Sequence, residues 1–149
     1  MTVPPQPIST AFLLAALGRH VRDDVEQTLK TTGYTLRHLA AIGHLRREPG
    51  LSYSELGRRA GITAQSAQAT VRQLEERGVV ERRTEPGRGR AAELHVTEEG
   101  MRLLVSGQDA YAEADAGLRA ALGPDACRDL NGLLLQALSA RTASPPGPA

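Results

Sequence analysis

The segment from Leu51 to Gly78 constrains the fold most, because it specifies two helices and the turn between them. In Ser52-Tyr53-Ser54-Glu55, the serine hydroxyl is placed to cap the helix start and the glutamate to reach back to the cap. Such a reciprocal capping box satisfies two donors that a helix start leaves unpaired. Leu51 before the cap and Leu56 after it are placed as a hydrophobic staple. Gly61 interrupts this helix after Ala60, and Thr63 caps the next one. Ala67, Thr70, Val71 and Leu74 mark the buried face of that second helix, which ends at Gly78. A short helix over 52–60, a Gly-containing turn and a second helix over 63–77 predict a helix-turn-helix unit.

After Gly78 the period changes from that of a helix to that of a strand. Val79-Val80-Glu81-Arg82 and Glu93-Leu94-His95-Val96 are short strand candidates. The stretch from Thr84 to Arg90 between them is rich in turn residues and arginine, which predicts a hairpin with a basic tip. Upstream, Leu13, Leu17, Val21, Val25 and Leu29 recur every four residues and predict a helix over 9–30, stopped at Gly33. A second helix fits 35–47, with Leu36, Leu39, Ile42 and Leu45 apolar. Downstream, Thr97 caps a long helix to about Leu122, with two acids in its first turn. Pro124 opens a last helix that carries Leu130, Leu133, Leu134 and Leu138.

The predicted class is therefore mainly α with a small β-hairpin: a winged helix-turn-helix plus a helical dimerisation region. The expected organisation is a disordered tail over 1–8, one regulator domain over 9–142 and a second disordered tail over 143–149. Within the domain, about 34–97 holds the helix-turn-helix and the hairpin, and helices of about 9–31 and 98–141 flank it as candidates for dimerisation. The apolar stripes at the two ends have no obvious partner in so small a chain, and packing stabilises such helices more than propensity does.

Composition agrees with a helical core. Apolar residues make up 40% of 149 and aromatics 3%, with no Trp, so the core must come from Leu, Val, Ile and Ala. The formal net charge of +1 does not by itself predict a polyanionic partner. Lys30 is the only lysine, every other cation being an arginine whose planar fork suits phosphates and guanine edges. An Arg-rich coding bias gives the same skew. Cys127 is the only cysteine, which excludes an intrachain disulfide and a cysteine-based metal cluster. No stretch approaches the roughly 18 apolar residues of a membrane span. The Pro-rich start lacks the form of a secretion signal, so the expected compartment is the cytoplasm, with no membrane partner.

On the second helix of the pair, Gln65, Ser66, Gln68, Ala69, Arg72 and Gln73 lie away from the buried face. The N-terminal half of such a helix enters the major groove. There Gln pairs with adenine, Arg with guanine, and Ser with base edges or phosphates. A solvated polar face has the same composition. The hairpin favours the DNA reading, because Arg82, Arg83, Arg88 and Arg90 cluster there, and Gly87 and Gly89 keep the tip thin. A narrow minor groove attracts such arginines. The expected DNA-contacting set is Ser52, Ser54, Thr63, Gln65 and Ser66, together with Gln68, Arg72, Arg82, Arg88 and Arg90.

The stretch from Leu51 to Gly100 resembles the MarR family of bacterial regulators. The likeness is carried by Leu51-Ser52 with Glu55-Leu56, Ala60-Gly61-Ile62-Thr63, the run from Leu74 to Val80, and Val96-Thr97-Glu98-Glu99-Gly100. It extends more weakly to the flanking helices. The resemblance implies a homodimer built from the first and last two helices, bound to double-stranded DNA at a pseudo-palindromic operator. It also implies a repressor released by a small, often phenolic or anionic, ligand. Recognition would fall to the helix from Thr63, with Arg90 as the wing arginine. Two positions depart from the family pattern. The wing reads Arg88-Gly89-Arg90 where an Asp-x-Arg word is usual, and Ala69 stands where a larger polar or basic residue is common.

Other chemistries find less support. Only Arg128 beside Cys127 is placed to lower its pKa, so a redox switch there is disfavoured. His20, His38, His44 and His95 are too scattered for a metal site, and no cofactor is expected. His38 stands as a ligand-cleft candidate, because its helix helps line the ligand cleft in the resembled family. Neither a phosphate loop nor a nucleophile elbow is present, which argues against an enzyme. The alternative from another class is a winged-helix protein–protein interaction module without DNA binding, motivated by Ala69 and the near-neutral charge.

Overall fold

The computed structural model describes residues 8–83 and 93–143. The tail expectations fall almost wholly outside them, and Ala143 is the last residue of a helix. The element order is α1 (Thr10–Leu29), a 3-10 turn (Lys30–Thr32), α2 (Leu36–Arg47), α3 (Tyr53–Ala60), α4 (Ala64–Glu76), β1 (Val80–Arg83), β2 (Glu93–Val96), α5 (Glu98–Leu122) and α6 (Pro124–Ala143). Every expected helix is present. The first strand begins one residue later than expected, because the amide of Val79 donates to the Leu74 carbonyl at 2.9 Å and is still part of the α4 stop.

The chain divides into two compact units, Met1–Tyr111 and Ala112–Ala149, with the boundary inside α5. In the first unit, one core draws on every helix and both strands. Val25 and Leu29 come from α1, Ile42 and Leu45 from α2, Leu56 from α3, and Val71 and Leu74 from α4, all fully buried. Val79, Val80, Leu94 and, from α5, Leu103 complete it. Each such side chain contributes roughly 1.5–3 kcal/mol by leaving water, so this core fixes α4 against the rest of the unit. In the second unit, by contrast, α6 buries none of its described side chains.

The two strands pair antiparallel, with Val80 opposite Val96 and Arg83 opposite Glu93. Side chains alternate along a strand, so Val80 and Arg82 share one face with Leu94 and Val96. That face carries the buried Val80 and Leu94, and it turns Arg82 towards the helices. No helix among the described residues is long and apolar enough to cross a membrane.

Candidate nucleic-acid interface

The helix-turn-helix is built by short-range chemistry. The Ser52 hydroxyl accepts from the amide of Glu55 at 3.2 Å, and the Glu55 carboxylate accepts from the Ser52 amide at 3.1 Å and its hydroxyl at 2.7 Å. Those bonds, the hydroxyl's first, hold the Glu55 carboxyl below the ordinary carboxylate range. Leu51 and Leu56 on either side of the cap are both buried. Gly61 ends α3 at φ +67°, in the left-handed region, and the Ile62 amide donates to the Gly57 carbonyl at 2.8 Å. Gly57 itself admits no side chain, because a Cβ there would stand 2.7 Å from the Ile62 carbonyl oxygen. This close approach lets α4 start after only three intervening residues, Gly61, Ile62 and Thr63. Thr63 then caps α4, its hydroxyl accepting from the Ser66 amide at 3.1 Å.

With Ala67, Thr70, Val71 and Leu74 buried, the opposite face of α4 is open. Gln65, Gln68, Ala69 and Arg72 are exposed along it. The Arg72 side chain is 80% exposed and meets Glu76 at 2.9 Å, one turn further along the same helix. An exposed ion pair of this kind is weak, worth about 0.3–0.5 kcal/mol, so it leaves the guanidinium available to a stronger anion. Ser66 is half-buried, and its hydroxyl accepts from that of Thr63 at 3.0 Å. Ser54 is exposed in the first turn of α3, and Ser52 is committed to its cap.

Both edges of this face are tied down by polar contacts. On one edge, Glu75 accepts from Arg82 Nε at 3.1 Å and Nη2 at 3.3 Å, and the same Nη2 donates to the Tyr53 hydroxyl at 2.9 Å. The Glu75 bond, then that of Tyr53, raises the Arg82 guanidinium pKa further still. Arg82 therefore binds β1 to α4 and α3, whereas the sequence suggests a DNA contact. On the other edge, Gln73 Oε1 lies 3.1 Å from His38 Nε2, and Arg77 Nη1 donates to the Gly33 carbonyl at 2.8 Å. Gln73, which the sequence groups with the outward face, is thus turned sideways to α2.

His38 lines a cleft. The cleft has a volume of about 560 Å³ and lies among α1, α2 and the α3–α4 turn, with Arg22, Glu26, Arg37, His38, Ile62 and Gln73 on its walls. Arg88 and Arg90 lie outside the described residues, as does the rest of 84–92; the strands that flank this stretch are paired as expected.

Sequence reasoning missed Gly57, Tyr53, Glu75 and Arg77. The strand period would have found the first edge, since Arg82 stands two residues after the buried Val80 and must share its face. Nothing in the sequence pairs Arg77 with Gly33, 44 residues away.

Comparisons with known proteins agree with this geometry. The MarR family profile matches residues 32–91. The HTH-type transcriptional repressor Rv2887 of Mycobacterium tuberculosis is 31% identical over 123 residues, which cover 83% of this chain and 88% of the relative. The structure of that MarR family protein in complex with DNA matches at a TM-score of 0.74 and 27% identity, covering 88% of this chain and 98% of that one. Its complex with salicylic acid matches at 0.74 and 29% identity, covering 90% and 98%. A mutant MarR from E. coli, at 17% identity and a TM-score of 0.78 over 90% of this chain and 99% of that one, shares the fold. A winged helix-turn-helix of this build, together with a repressor relative aligned over most of both chains, establishes that the chain belongs to the MarR family of transcriptional regulators.

Proposed function

We propose that this chain is a cytoplasmic, homodimeric repressor that binds a pseudo-palindromic DNA operator and is released by a small phenolic or anionic ligand. The observation that carries the reading is the outward face of α4. Gln65, Gln68 and Arg72 stand exposed on a helix whose other face is sealed into the core. Such a helix presents hydrogen-bonding groups to base edges without unfolding anything. The DNA complex of the mycobacterial relative supports the same assignment.

Residues 34–97 form the DNA-binding part in this reading. Ser54 and the capped starts at Ser52 and Thr63 face phosphates, and Arg88 and Arg90 enter the minor groove. Helices of about 9–31 and 98–141 dimerise. Exposed Phe12 and Leu13 on α1, and Leu133, Leu135 and Leu138 on α6, give them reason to find a partner. The cleft beside His38, Arg22 and Arg37 falls within the roughly 300–1,000 Å³ of ligand pockets, and the relative's salicylic acid complex suggests the class of occupant.

The test is a footprint of the purified protein on the DNA upstream of its own gene, repeated over a salt series. Protection of a two-fold symmetric site is expected, with affinity that falls steeply with salt as arginines release counterions. Binding there no tighter than to random duplex overturns the reading. Salicylate added to the same reaction tests release, and mass in solution tests the dimer.

A further inference from the structure

We propose that His38 is a positioning residue for operator binding: its Nε2 holds Gln73 and thereby sets the edge of α4. The proposal rests on α4 being the helix that reads DNA.

The ring lies between two elements, with a different partner on each nitrogen. Nδ1 is 3.1 Å from the backbone amide of Thr35 and 3.0 Å from its hydroxyl. A backbone amide can only donate, so Nδ1 is the acceptor and the proton of the neutral ring sits on Nε2. Nε2 stands 3.1 Å from Gln73 Oε1, and it therefore donates. One nitrogen thus completes the N-terminus of α2, and the other ties α2 to a residue 35 positions away on α4.

The surroundings hold this arrangement in place. The Tyr34 ring meets the His38 ring edge to face, with centroids 5.7 Å apart and planes at 85°. The Arg77 guanidinium lies 3.6 Å from the centre of the same tyrosine ring while donating to Gly33. Gln73 and Arg77 are one helical turn apart on one edge of α4, and both are fastened to the strip from Gly33 to His38. Glu75, held by Arg82, which also donates to Tyr53, fastens the opposite edge. The exposed Gln68 and Arg72 lie between these two anchors. Base readout depends on hydrogen-bond geometry, so a helix free to roll between its anchors loses contacts it still has the residues to make.

The two ring nitrogens can be separated by substitution. In His38→Asn the amide reaches the place of Nδ1, keeping the Thr35 cap and losing Gln73. In His38→Gln it reaches the place of Nε2, keeping Gln73 and losing the cap. Operator affinity should follow the second nitrogen and thermal stability the first. His38→Asn should keep the wild-type melting temperature yet weaken operator binding by about tenfold, since one neutral hydrogen bond is worth on the order of a factor of ten. His38→Gln should melt about 4 °C lower, as expected for a lost cap in a small domain, yet bind close to wild type.

Amide exchange of Gln73 to Arg77, measured without DNA, provides the second readout: faster in His38→Asn, unchanged in His38→Gln. Wild-type affinity or unchanged exchange in His38→Asn overturns the proposal. So does a loss of affinity in both variants that simply tracks their melting temperatures. If the wild-type protein shows no operator preference, the repressor reading falls by that result, and the exchange measurement still decides whether His38 holds α4.

Discussion

Leu39, Ile42, Leu45, Leu56, Val71, Leu74 and Leu94 are all buried in the helix-turn-helix and its wing, whereas Leu133, Leu135 and Leu138 of α6 remain 64%, 65% and 62% exposed. α1 shows the same contrast within one helix. Its C-terminal Val25 and Leu29 are fully buried, and its N-terminal Leu13 and Leu17 are 51% and 38% exposed on the same stripe. The apolar residues of α1 recur every four along its whole length, so an apolar stripe reports that a helix needs a partner without reporting whether the partner lies in the same chain. The helix-turn-helix region is completed by its own contacts. The end helices leave large apolar side chains exposed within one chain, and a second copy of this chain is the occupant proposed above.

The largest effects should separate these regions. Leu74→Ala opens a cavity under α4 and should cost about 2–5 kcal/mol, seen as a lower urea midpoint and a loss of operator binding. Leu135→Asp combined with Leu138→Asp places two charges on a face that is open within one chain. Its urea midpoint, extrapolated to low protein concentration, should stay within about 0.5 kcal/mol of wild type, while the mass in solution falls to that of one chain. A double variant that keeps the wild-type mass breaks the comparison, because α6 would then not be the face that pairs.

Legibility in the sequence divides along the same line. Helices and caps were readable because their causes are local: Ser52 and Glu55 are three residues apart, and so are Thr63 and Ser66. The left-handed stop at Gly61 was equally plain. Long-range polar contacts were not readable. The assignment of Arg82 to DNA follows from counting arginines in a loop, and the structure shows that the register of β1 turns that one side chain back to Glu75 and Tyr53. His38 was legible only as a cleft residue. Its contact with Thr35 is local, three residues away, but its partner Gln73 comes from the crossing of α2 with α4, which no spacing reveals.

A smaller effect sharpens the contrast within the helix-turn-helix itself. Ser52→Ala removes the cap of α3 and should cost about 1 kcal/mol at neutral pH. The size depends on pH, and its sign follows from Glu55. The folded state holds that carboxyl below its unfolded value, chiefly through the Ser52 hydroxyl, so the pair stabilises the fold while Glu55 is ionised. As pH falls below the ordinary carboxylate range and through the folded value, the contribution is lost. The gap between wild type and variant, measured by urea denaturation, should therefore narrow with acid. A gap of constant size would mean that the hydroxyl acts without the carboxylate.

The smallest effect distinguishes two arginines that composition cannot tell apart. The Arg82 and Glu75 side chains are 46% and 26% exposed, so solvent screens the pair despite its good geometry. Arg82→Gln should lower stability by no more than about 1 kcal/mol. Because the guanidinium is already held by Glu75 and Tyr53, the salt dependence of operator binding should barely change. Among the described residues Arg72 is held only by its exposed neighbour Glu76, and Arg72→Gln should do the reverse. Stability should stay within about 0.5 kcal/mol, while the slope of log affinity against log salt falls by about one, as for the loss of one phosphate contact. A drop of that size in Arg82→Gln would return Arg82 to the DNA face. It would also mean that the bond to Glu75 opens when the helix meets its site.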